Sequence, residues 1–69
     1  MIRDDQELKT TQERISYFQD ILLQLRVKAK PEEFPLVSSG YASEIVRMQQ
    51  EVLQYLTRHI SEHQQLKAA

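Results

Sequence analysis

The sequence predicts an all-α protein: two long antiparallel helices forming a hairpin, which pairs with a second hairpin into a four-helix bundle. Three observations carry this expectation. Helix breakers are scarce, with one glycine and two prolines in 69 residues, all of them between positions 31 and 40. On both sides of that window apolar residues recur at steps of three and four, the helical period. The stretch between is short, and a short connection lays the second helix antiparallel beside the first. The whole chain, 1–69, reads as a single domain. A first helix spans about 5–30 and a connection about 31–39. A second helix starts near 36 or near 40 and runs to about 66.

The first helix carries a heptad-like seam of Leu8, Thr11, Ile15, Phe18, Leu22, Leu25 and Ala29, spaced three and four apart in alternation. Ile21 and Val27 widen the stripe. Asp4 and Asp5 stand where carboxylates cap free N–H groups and meet the positive end of the helix dipole. Asp4 and Glu7 have capping-box spacing, with Asp in the Ser/Thr place. Lys28 and Lys30 sit in the last turn, where cations are favoured, and Pro31 pushes Lys30 out of the helical region.

The connection PEEFPLVSSG leaves two starts open for the second helix. Pro35 suits a first helical turn, and Leu36, Val37 and Tyr41 have helical spacing. Alternatively Ser38 or Ser39 caps a helix that begins near Gly40, since an interior glycine costs about 1 kcal/mol against alanine. Beyond it Ile45, Met48, Val52, Leu56, His59 and His63 repeat at steps of three or four. A second row, Val46, Leu53 and Ile60, advances by seven. The apolar surface is therefore broader than one partner helix covers. The pairs Arg47/Glu51 and Arg58/Glu62 suit an exposed face.

Size sharpens the point. A chain this short buries about 60% of its unfolded surface. There is no cysteine, so no disulfide can reinforce it. A homo-oligomer, most simply a dimer, or a partner protein is expected to cover the remainder. The core and interface positions expected from the pattern are Leu8, Ile15, Phe18, Leu22 and Leu25 on the first helix. On the second they are Ile45, Met48, Val52, Leu56 and Ile60.

Other function classes find little support. Nine basic and ten acidic residues are spread along the chain for a net charge of −1, which gives no basic patch for nucleic acid. The N-terminus MIRDDQELK lacks an apolar signal region, and the longest apolar run is Ile21–Leu23, so no membrane association and a cytoplasmic location are expected. The stretch HISEH, His59 to His63, matches the inverted zinc-protease pattern H-x-x-E-H. Two histidines four apart on a helix share a face and could hold one metal. A catalytic zinc also needs a third ligand, an open position and a walled cleft, none of which six further residues supply. No metal, no cofactor and no catalysis are expected. Tyr17, Tyr41, Tyr55, Phe18 and Phe34 read as packing residues, because no basic groove accompanies them.

The opening MIRDDQELKTTQERISYFQDIL, through Ile2, Asp4, Leu8, Thr11, Ile15 and Phe18, resembles the helical region that precedes the helix-turn-helix domain of HigA-type bacterial antitoxins. The later GYASEIVRMQQEVLQYL resembles the second helix of that region, with Ile45, Met48, Val52 and Leu56 at its core positions. The resemblance implies a small bacterial protein built as an oligomerising or partner-binding hairpin. An antitoxin-like regulator that binds a partner toxin is the alternative it offers. DNA reading in the family belongs to the helix-turn-helix domain, which these 69 residues do not contain, so repressor activity is not expected.

Overall fold

The structure, a computed structural model, describes residues 1–59. They form two helices, α1 (Asp5–Lys28) and α2 (Phe34–Leu56), packed against each other, with no strand among the described residues. The helices run in opposite directions. Phe18 of α1 meets Tyr41 of α2 edge-on with ring centroids 5.6 Å apart, and the Tyr55 hydroxyl near the end of α2 donates to Asp5 at the start of α1. Among the described residues no helix is long and apolar enough to cross a membrane.

Each terminus of α1 has a local cause. Asp4 is extended at φ −152° and its Oδ1 accepts the Glu7 N–H at 2.8 Å, which satisfies one of the free donors of the first turn. The return half of the capping box is displaced by one residue. Glu7 accepts from the Arg3 backbone N–H at 2.9 Å and from the Arg3 guanidinium at 3.0 Å, instead of from Asp4. At the other end Ala29 is already extended, so α1 stops at Lys28, two residues before the expected Lys30. Lys30 precedes Pro31 and is disfavoured in the helical region. Its carbonyl instead accepts from Glu33 and Phe34, at 3.0 and 2.9 Å, and thereby starts the next turn.

This turn begins α2 earlier than either expected start. Glu33 takes the cap position without a side-chain bond, and Pro35 sits in the first turn, where its missing N–H costs nothing. Ser38 and Ser39 are not caps. They lie within the helix and their hydroxyls donate back to the carbonyls of Pro35 and Leu36. Gly40 is consequently an interior helical residue.

The far end of α2 departs most from expectation. A helix to about 66 was expected; α2 ends at Leu56. The Thr57 hydroxyl donates to the Leu53 carbonyl at 2.6 Å, and the Arg58 N–H turns to Tyr55, three residues back, at 3.4 Å. A β-branched residue that bonds back to the preceding turn offers the backbone an alternative to continuing the ladder.

Gly40 is exposed, has no positive φ, and a Cβ added there would meet nothing within 4 Å. Gly40→Ala is therefore expected to stabilise the protein by about 0.5–1 kcal/mol, read as a rise in the urea midpoint.

Candidate interaction surface

The contact between α1 and α2 is one side chain deep. Among the described residues the buried apolar side chains are Ile2, Ile45 and Met48. Leu8, Ile15, Phe18, Leu22 and Leu25 line the inner face of α1 half-buried, together with Thr11 and Ile21. Val52 is half-buried opposite them on α2. Phe34, Ser38, Tyr41, Ile45, Met48, Val52 and Tyr55 make the inner stripe of α2 at alternating steps of four and three.

Two expected positions fall outside the contact between α1 and α2. Leu56, expected among the core and interface positions, is 57% exposed in the hairpin. The inward place in that turn belongs to Tyr55, one residue earlier, because a stripe with a 3.5-residue repeat drifts backwards on a 3.6-residue helix. Val27 was expected to widen the stripe of α1 and is 85% exposed. Ile60, expected in the interface, lies outside the described residues, as do Glu62 and His63. His59 is exposed and stands past the end of α2, so the helical register that would align it with a residue four later does not extend from that helix. Among the described residues no cluster of three His, Cys, Asp or Glu could hold a metal ion.

Sequence reasoning left Ile2 out of the core and read Tyr55 as a packing residue without placing it on the inner stripe. Ile2 is tucked in because the preceding segment doubles back: the Met1 amino group lies 3.6 Å from Glu51, and Arg3 is fastened to Glu7. The readable signal was Glu7, a helix-start acceptor with a basic residue four before it. Tyr55 is amphipathic, with its ring on the inner stripe and its hydroxyl on Asp5.

Outside the seam the two broad sides of the hairpin differ in charge. On one side Arg47 and Glu51 of α2 stand beside Gln6, Thr10 and Arg14 of α1, around an open groove. Arg47 bridges Glu44 and Glu51, the latter at 2.9 Å. Hydrogen bonding to Glu44 raises the Arg47 pKa, and the Arg3 guanidinium holds the Glu7 carboxyl below its usual value. These groups are exposed, so the pairs orient side chains and add little stability.

On the other side α2 presents Ala42, Val46, Gln49, Leu53 and Leu56, at steps of four and three, all exposed. Val46, Leu53 and Leu56 are each more than half exposed. Along α1 the corresponding row is Gln12, Ser16, Gln19 and Leu23, also exposed. What the arrangement offers among the described residues is a face.

Comparison with protein-family models, curated protein sequences and solved structures finds no match to this chain.

Two outcomes follow. Met48→Ala empties the best-buried site and is expected to cost about 2–5 kcal/mol, whereas Val27→Ala is expected to stay within about 0.5 kcal/mol in the same urea titration. The Tyr55 pKa is raised from its ordinary value of 10.0, chiefly by its hydrogen bond to Asp5. The folded state thus holds that proton more tightly than the unfolded state. Its contribution is complete below the unfolded pKa and is lost as pH rises through the raised folded value. Phenolate absorbance assigned by difference from Tyr55→Phe is expected to develop at lower pH in Asp5→Asn than in the wild type.

Proposed function

We propose that the protein is a self-associating protein–protein interaction module and not an enzyme. The observation that carries this reading is the imbalance between sheltered and wet apolar surface. Ile2, Ile45 and Met48 are buried, while Tyr17, Leu23, Val46, Leu53 and Leu56 are each more than half exposed. A pair of helices can hide one stripe of each from water, and here apolar residues continue beyond it. Covering that excess is the main gain available from association, since apolar burial contributes about 25 cal/mol per Å². The likeness to the helical region of HigA-type antitoxins, which implies an oligomerising hairpin, points the same way.

Sedimentation equilibrium tests the proposal. A dimer or higher species is expected at micromolar concentration, with a folding midpoint that rises with protein concentration. A stable monomer whose midpoint does not depend on concentration would overturn it.

A further inference from the structure

Resting on that reading, we infer that the occupant of the uncharged side is a second copy of this chain, docked with its α2 antiparallel to the first. Three observations combine. The first is charge. From Ser39 the alternating steps continue through Ala42, Val46, Gln49, Leu53 and Leu56, a row of six exposed positions with no charge among them. The residues that would flank this row at a helix–helix contact on its solvent side, Ser43, Gln50 and Thr57, are uncharged as well. The charged residues of α2 are Glu44, Arg47 and Glu51, and all three lie off the row. Charge makes up 28% of the chain, so its absence from this row of α2 and these flanking positions is selective. An identical copy meets such a surface with no like charges opposed, whereas a partner chosen by charge would find nothing to read.

The second is area. Twenty-three residues of α2 span about 35 Å, and two adjacent helices are about 20 Å wide, giving a face of about 700 Å² in projection. A standard interface buries about 800 Å² per partner. One helix edge falls well short of that figure. The whole side comes close to it, because Gln12, Ser16, Gln19 and Leu23 of α1 continue the uncharged row. Charge returns at its ends, with Lys9 before Gln12 and Arg26 after Leu23, and along its outer edge, with Glu13 and Asp20.

The third is shape, and it sets the direction. The row is small at one end, Ser39 and Ala42, and large at the other, Leu53 and Leu56. A parallel pair would put leucine on leucine at one end and leave a gap at the other. An antiparallel pair about a two-fold axis puts Ser39 against Leu56, Ala42 against Leu53 and Val46 against Gln49. Large then meets small in the two outer layers and two mid-sized side chains meet in the central one, as close packing requires. A shallow hollow bordered by Ala42, Ser43, Val46, Arg47 and Gln50 lies along the solvent side of this row, so its outer rim carries one guanidinium.

Sedimentation of three chains tests the surface: wild type, Leu53→Glu in the row, and Thr10→Glu on the opposite, charged side of α1. The inference expects a wild-type dimer, a dissociation constant raised at least about tenfold by Leu53→Glu with helical signal retained, and no change with Thr10→Glu. A wild-type dimer indifferent to Leu53→Glu overturns the surface while leaving self-association intact. A monomeric wild type overturns both. If Leu53→Glu loses its helical signal, cross-linking decides. The chain has no cysteine of its own, so Ser39→Cys and Leu56→Cys chains can be mixed and oxidised. Antiparallel docking yields the mixed disulfide, because the two Ser39 positions would stand about 25 Å apart. A Ser39→Cys homodimer, or no specific cross-link, overturns the arrangement.

Discussion

Two cylinders in contact share one line. That constraint governs this molecule. A helix packed against a single neighbour can bury one stripe of its circumference, and α1 and α2 do so with alternating three- and four-residue spacing. The remaining surface of both helices faces water whatever its composition. Among the described residues burial is deepest at Ile2, Ile45 and Met48, near the middle of α2 and where the N-terminal segment folds over it. Most of the seam is half-buried because nothing in the hairpin stands behind it.

The seam of α1 was legible because its pattern had one solution. Leu8, Ile15, Phe18, Leu22 and Leu25 stand at heptad spacing, and polar residues flank most of them, Leu22 between Ile21 and Leu23 being the exception along with Tyr17 before Phe18. α2 was harder, since it carries two apolar rows. One contains Ile45 and Val52; the other contains Val46 and Leu53, each displaced by one residue. Hydrophobicity ranks the rows almost equally. What separates them is which one faces α1, and that depends on the angle at which the turn delivers the second helix. Leu56 was misplaced for this reason. It belongs with Val46 and Leu53, while a tyrosine with a polar tip occupies the inner stripe.

Local chemistry decided the remaining differences. Ser38 and Ser39 resemble helix caps in sequence, yet the Lys30 carbonyl takes the first turn upstream of them and leaves both hydroxyls bonding to their own helix. Gly40 suggested a boundary by its conformational cost, and a cost near 1 kcal/mol is small beside a helix that packs along its length. Thr57 gave no warning in the apolar pattern, which continues past it. The termination is a hydrogen-bond effect, and apolar spacing carries no information about hydrogen bonds.

The two sides of the hairpin also differ in how they would choose a partner. The Glu44–Arg47–Glu51 side satisfies its charges internally, so it has little to gain from a second chain. On the opposite side the α2 row has no charges to satisfy, and four large apolar residues, Leu23, Val46, Leu53 and Leu56, remain to be covered. An interface of that composition lacks the charge pairs that usually set register in helical assemblies. In the proposed pairing register must come from volume, with small residues at one end of the row and leucines at the other. Size matching discriminates through cavities and overlaps, and its penalty for a one-turn slip grows with each leucine moved off its small counterpart. Gln49 adds a polar term, since a slip that buries its amide without a partner leaves donors and acceptors unsatisfied. An uncharged row graded in size can therefore specify a single arrangement of two identical chains, provided that both ends of the gradient take part.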